Sequence, residues 1–245
     1  MRDSLLERAQ RIIVVIIVLA LGGIVLVGAR VVGVGSSNSA RQGFERSAFA
    51  ARVALISGHA GYDSGAVCEE SETAPLLTEA SVNAGVTTLA AERLRSAGAD
   101  VLILDEFDPR LDELEAEVLL SIHSDSCVEA TGYKAAHAAL TTSPMEDVRL
   151  VGCIDRIYPA ATGLAHHPNT VTHNMTDYHA FREIAPTTPA AIIELGFLGG
   201  DRTLLETQQS LLAQAVADSI LCFLRGENGD VTINSPADAA PPATP

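Results

Sequence analysis

The stretch Val53-Ala54-Leu55-Ile56-Ser57-Gly58-His59-Ala60-Gly61-Tyr62-Asp63-Ser64-Gly65-Ala66-Val67 decides how the rest of the chain is read. Val53 to Ile56 form an apolar run of strand character that passes into a turn punctuated by Gly58, Gly61 and Gly65. A buried strand fixes the loop that follows it, and in α/β domains such loops carry chemistry-bearing side chains to solvent. Glycine lets the backbone at such a turn take positive φ and approach a ligand closely. Taken alone, the stretch reads first as a tight strand-to-loop turn bearing a surface histidine. Its company is what matters: Glu79, His123 and Glu194 each stand at the start or end of a predicted regular element.

Working outward, a helix is expected over Thr78–Ala97, with Thr78 as N-cap, Val82, Val86, Leu89 and Leu94 at helical spacing, and Gly98 as the stop. Val101–Leu104 reads as a second strand and Arg110–Glu117 as a short helical turn. Val118–Ile122 is a buried strand that delivers His123, and Lys134–Leu140 is a further strand. Glu146–Ile157 reads as a helix, Pro159–Ala185 as irregular, Ala190–Glu194 as a buried strand, and Arg202–Leu224 as a helix. Alternating strands and helices predict a single three-layer α/β domain, a mostly parallel, twisted sheet with helices on both faces, preceded by one transmembrane helix.

That membrane segment comes from Ile12 to Ala29, an uncharged run of Ile, Val and Leu that Val31 to Val34 extend past Arg30. Arg2, Arg8 and Arg11 precede it, so the positive-inside rule leaves residues 1–11 in the cytoplasm and exports the remainder. A cleaved signal peptide ending near Val27-Gly28-Ala29 is the competing reading, with the domain then secreted. The expected organisation is a cytoplasmic N-terminus at 1–11, an anchor at 12–34, a linker at 35–50, a catalytic domain at 51–226 and a disordered tail at 227–245. The net charge of −15, with Lys134 the only lysine, excludes nucleic acid as a partner, because phosphate binding needs clustered basic residues. Of the four cysteines, Cys68 and Cys127 each lie a few residues beyond a candidate ligand histidine. If those loops converge, a Cys68–Cys127 disulfide braces the site; free buried cysteine is the alternative.

His59, Glu79 and His123 are residue types that bind zinc, and three protein ligands leave a fourth position for water, as in catalytic sites. No compact H-E-x-x-H spacing links them, so strand ends and a helix N-terminus must converge at one sheet edge. Glu194 ends an apolar strand, where a carboxylate is costly to bury without a partner. It serves as general base for a zinc-activated water, or it forms an ion pair with an arginine such as Arg202. No G-x-S-x-G elbow supports an acyl-enzyme. The histidines from His166 to His179 suit a loop lining the cleft or plain surface better than a second metal site.

Together these segments resemble the zinc-dependent N-acetylmuramoyl-L-alanine amidases over roughly Val53 to Leu224. Ile56-Ser57-Gly58-His59-Ala60-Gly61-x-Asp63-x-Gly65-Ala66 is similar to the family's first-ligand motif. Glu79 matches the second ligand, and Ser121-Ile122-His123-Ser124-Asp125-Ser126 the strand end that gives the third. Ile193-Glu194-Leu195-Gly196-Phe197-Leu198 matches the segment holding the catalytic glutamate. The resemblance implies one Zn²⁺, peptidoglycan as partner, and cleavage of the amide between N-acetylmuramic acid and L-alanine. The chain departs from the pattern at Ser57, where the family has Asp, at Ala60 for Gly, and at Asp125 for Asn. The arginine-bearing helix before the third ligand is shortened to Leu111–Glu117, and Gly199-Gly200-Asp201 replaces the usual asparagine. Ser57, Asp63 and Asp125 are therefore candidate residues for orienting ligands or touching substrate. The competing functions are an amidase-like domain that binds wall peptide or a partner without hydrolysis, and a zinc peptidase or amidohydrolase of another exported amide. No separate wall-binding module is visible, and a regulatory protein partner is left open.

Overall fold

A computed structural model describes residues 50–69 and 76–227. The segments 1–11 and 12–34, linker residues 35–49 and tail residues 228–245 lie outside them. Among the described residues no helix is long and apolar enough to cross a membrane.

The sheet is built from β1 (Arg52–Ser57), β4 (Asp100–Leu104), β5 (Val118–Asp125), β6 (Lys134–Ala136) and β7 (Ala190–Phe197) in the order β4-β1-β5-β7-β6. β4, β1, β5 and β7 run parallel, and β6 closes the edge antiparallel to β7. β5 lies at the centre and is buried from Val118 to Ser124, which is why it reads as a nearly continuous apolar run. Two-residue strands β2 (Val67–Cys68) and β3 (Leu77–Thr78) form a small hairpin ahead of helix α1 (Glu79–Ser96). Thr78 caps α1, its hydroxyl accepting from the Ser81 amide at 3.2 Å.

Side chains alternate between the two faces of the sheet. Val53, Leu55, Val118, Leu120, Ile122, Ala191 and Ile193 meet α1, α2 (Pro144–Thr162) and α6 (Gln209–Leu224) on one face. Ala54, Ile56, Leu119, Ala136, Ala190 and Ile192 face the other way. There they meet Met175 of α3 (His173–Thr176), Ala180 of α4 (Ala180–Glu183), Tyr178 and Ile184. Helices do cover both faces, but unequally: three long ones on the first, two single-turn helices and their loops on the second. Each fully buried Leu or Ile of the thick face contributes about 1.5–3 kcal/mol.

Several elements differ from expectation. Arg110–Glu117 contributes only a 3-10 turn, Pro109–Leu111, capped by Asp108. The strand at Lys134 stops at Ala136, and Arg202–Leu224 breaks at Gln208 into α5 (Arg202–Thr207) and α6. The irregular segment holds α3 and α4, whose single turns lack a sustained apolar period.

Both cysteine pairs form disulfides, Cys68–Cys127 and Cys153–Cys222. The second pairing, absent from the sequence reading, staples α2 to α6 beneath the thick face. Replacing Cys153 and Cys222 together by serine is expected to lower the free energy of unfolding by about 2–4 kcal/mol in urea denaturation.

Candidate active site

The C-terminal ends of β1, β5 and β7 deliver the site to one edge of the sheet. His59 lies two residues past β1 in the left-handed region, at φ 67°, a conformation costly for a side chain bearing a Cβ and typical of functional sites. Its N–H donates to Glu106 Oε2 at 2.7 Å, and the turn closes through Tyr62 N–H and Asp63 N–H to the His59 carbonyl, both at 3.1 Å. Glu79, the first residue of α1, points its buried carboxylate between the two rings. His59 Nε2 lies 3.2 Å from Glu79 Oε2, and His123 Nδ1 lies 3.0 Å from Glu79 Oε1. The Ala66 and Ser124 amides and Asn83 Nδ2 also donate to that carboxylate.

Two glycines make this closeness feasible. A Cβ on Gly58 would stand 2.5 Å from His123 Cε1, and one on Gly65, at φ +61°, would stand 2.6 Å from Glu79 Oε2. The ligand-capable atoms of His59, Glu79 and His123 all lie within 4.8 Å of one another. Around a divalent ion with bonds of about 2.0–2.1 Å, tetrahedral neighbours stand about 3.3 Å apart, close to the 3.2 Å and 3.0 Å at which the two imidazoles meet the Glu79 oxygens. The other nitrogen of His59 meets Asp63 Oδ1 at 2.6 Å, whereas His123 Nε2 is buried without a hydrogen-bond partner, 3.5 Å from Glu106 Oε2. The His59–Asp63 pair is the outer arrangement expected of a metal-binding histidine. The donor set fits a divalent transition metal.

Beside it, strand register places Glu194 of β7 opposite His123 of β5, and Lys134 of β6 opposite Glu194. All three point to the thin face, into a cleft of about 530 Å³ that Tyr178, His179 and Arg182 also line. A larger cavity of about 760 Å³, among Arg52, Asp100, Glu117 and Arg149, sits at the opposite edge of the sheet and holds no such ligand cluster.

The model of the N-acetylmuramoyl-L-alanine amidase family matches residues 53–222. The chain belongs to that family. Among solved structures, the amidase of Clostridium difficile 630 superposes with a TM-score of 0.55 at 22% identity, covering 71% of this chain and 97% of its own. Ami1 of Mycobacterium smegmatis gives 0.57 at 17% identity, over 73% and 99%. CwlD of Clostridioides difficile, solved in complex with the GerS lipoprotein, gives 0.54 at 19%, over 72% and 100%. At these identities the likeness is one of fold. No curated protein matches the amidase.

Within the amidase, Glu194 carries a carboxyl oxygen, Oε2, that is buried without a hydrogen-bond partner. Burial, against the opposing charge of His123, pushes its pKa up to about 7. Arg202, the ion-pair partner considered from sequence, bonds to Glu206. The Glu79 carboxyl is held well below its ordinary range; burial opposes this, but hydrogen bonds to His123 and His59 prevail. The same hydrogen bond to Glu79 raises His59 to about 9 against burial.

Of the other candidates, Ser57 faces the helix side of β1, and its buried hydroxyl has no hydrogen-bond partner, so it orients neither imidazole. Asp63 does orient one. Asp125 forms an ion pair with Lys134 on the cleft wall. Cys68–Cys127 ties the loop after His59 to the loop after His123. His166 stacks on Tyr133, His167 packs on Phe197 and His173 is exposed; they gather into no ligand cluster among the described residues.

Glu106 escaped the sequence reading. It is buried and accepts from the His59 amide, from the Tyr178 hydroxyl at 2.9 Å and from His179 Nε2 at 3.2 Å. An acid just past an apolar strand, Val101–Leu104, was the available signal, the same one that marked Glu194. Its pKa is lowered to about 2, hydrogen bonding to His179 and the charge of His123 outweighing burial.

Two outcomes follow for metal binding. Glu106→Ala is expected to weaken zinc affinity about 10–100-fold in a chelator competition. Because the hydrogen bond to Glu79 raises the His59 pKa to about 9, a zinc ion taken up by that ring would displace its proton at neutral pH. Calorimetry in buffers of differing ionisation enthalpy should therefore show proton release near pH 7, with affinity rising as pH increases toward 9.

Proposed function

We propose that this amidase hydrolyses the amide between the lactyl group of N-acetylmuramic acid and L-alanine in peptidoglycan, with one Zn²⁺ held by His59, Glu79 and His123. The observation that carries the reading is the meeting of that ligand set with Glu194, opposite His123 on the neighbouring strand of the sheet. Zinc there would supply Lewis acidity for the scissile carbonyl and acidify the attacking water.

The chain's own groups account for the remaining work. Glu194 takes the proton of the attacking water and passes it to the departing nitrogen, so a C–O bond forms, the C–N bond breaks, and free L-alanine amine leaves. A pKa of about 7 suits a group that must both accept and return a proton near neutrality. Asp63 holds the His59 ring, and Glu106 holds the backbone of that same residue. Tyr178 and His179, braced by Glu106, wall the cleft on the thin face. The strongly acidic composition suits a soluble exported domain, and a membrane anchor at 12–34 would hold it near its polymer.

Glu194→Gln is expected to keep one zinc per chain while turnover falls about 10²–10⁴-fold. Wild-type turnover should fall as pH drops through about 7, because protonated Glu194 is no longer a base. Mass analysis of digested wall should find intact stem peptides beginning with free L-alanine. Cuts at any other amide would refute the reading, and a metal-loaded protein that cleaves nothing would identify a binding domain.

A further inference from the structure

We infer that the rim beside the metal ligands carries a saccharide subsite, in which Tyr62 and Phe107 form a platform for a neutral N-acetylhexosamine ring of the glycan. The inference rests on the proposed reaction for its choice of substrate, and on the following geometry for its place.

Among the described Phe and Tyr side chains Tyr62 and Phe107 are the ones that stand exposed, at 66% and 53%, and they meet edge to face, ring centroids 4.7 Å apart and planes at 76°. A contiguous apolar surface left in water beside a cleft is a candidate binding surface. Both rings are anchored to the ligand set through the backbone. Tyr62 follows His59 by three residues in the turn closed on the His59 carbonyl, and Phe107 directly follows Glu106. Phe107 also lies against His179 at 4.3 Å, and His179 is held between Glu106 and Glu183. Ring contacts then continue from His179 to Tyr178 and from Tyr178 to His123. The platform is thus the outer end of a packed aromatic series that begins at a metal ligand.

Its chemistry selects the occupant. A pyranose offers an apolar C–H face that packs on an aromatic ring, and hydroxyls that donate to carboxylates. Two carboxylates belong to the same turns: Asp63, next after Tyr62 and engaged with His59 Nδ1, and Asp105, whose carboxyl lies against Gly61. Such a rim repels the carboxylates of a stem peptide and tolerates a neutral sugar. The cationic side chains of the cleft, Lys134 and Arg182, are paired with Asp125 and Asp177. The hexosamine joins the scissile carbonyl through a single lactyl unit, so a sugar must rest next to the ligands. An ammonium group, the other ligand that acids and aromatic faces attract, sits several residues down the peptide.

The test uses the full-length zinc-loaded chain in detergent and compares wild type with Tyr62→Ala/Phe107→Ala and Phe107→Trp. Calorimetric titration uses the neutral N-acetylglucosamine tetramer, with lysinamide as the cationic probe. Kinetics use a soluble glycan-linked muramoyl peptide and a sugar-free lactoyl tripeptide. Zinc content and melting temperature confirm that each variant is folded. The double variant should lose tetramer binding and show about a tenfold rise in KM for the glycan-linked substrate with kcat little changed. The sugar-free substrate should be turned over as before, and Phe107→Trp should retain binding. Unchanged tetramer binding, an unchanged KM, or loss of lysinamide binding in place of the tetramer would overturn the subsite. Should the wild type cleave no muramoyl amide yet bind the tetramer through these rings, the proposed reaction falls and the subsite stands.

Discussion

A single buried carboxylate organises the centre of this molecule. Glu79 meets two imidazoles and accepts from two backbone amides and an asparagine side chain. An ionised group removed from water is tolerated only with that degree of pairing. Its position at the first turn of α1 adds the favourable end of the helix dipole. Because its partners come from the β1 turn, the Gly65 loop, α1 and the end of β5, the charge forces four separate segments to agree on one geometry.

The uneven covering of the sheet explains why that geometry is reachable by substrate. Three long helices supply most of the core on one face, and that face alone holds the Cys153–Cys222 staple. The other face carries single-turn helices, and the residues that alternate onto it at the strand ends are His123, Glu194 and Lys134. Apolar burial is concentrated where no chemistry happens, and the side left thin is the one that opens as a cleft.

The principal strands and the first long helix were legible because their apolar periods are long and their ends are marked. Val118–Ile122 could only be a buried strand, and Thr78 before Glu79 announced a helix start. His59, Glu79, His123 and Glu194 were legible because each breaks an otherwise apolar or regular pattern at its boundary. Less visible was what depends on partners distant in sequence. Nothing local says that Glu106 receives donors from residues 59, 178 and 179, or that Ser57 points away from the rings while Asp63 takes over the expected orienting role. The α3 and α4 turns escaped for another reason: at four residues each, they are shaped by packing on Tyr178 and the sheet, not by their own periodicity.

His123, Glu194 and Lys134 occupy one transverse row of three adjacent strands. Spacing between such neighbours is set by peptide geometry, at about 4.8 Å, and not by any choice of side chain. Mutational drift can therefore rewrite loops, surface and even second-layer helices without altering the distance between acid, imidazole and amine. Relatives that share barely a fifth of their residues with this chain can keep the same frame, since the ruler is the backbone itself.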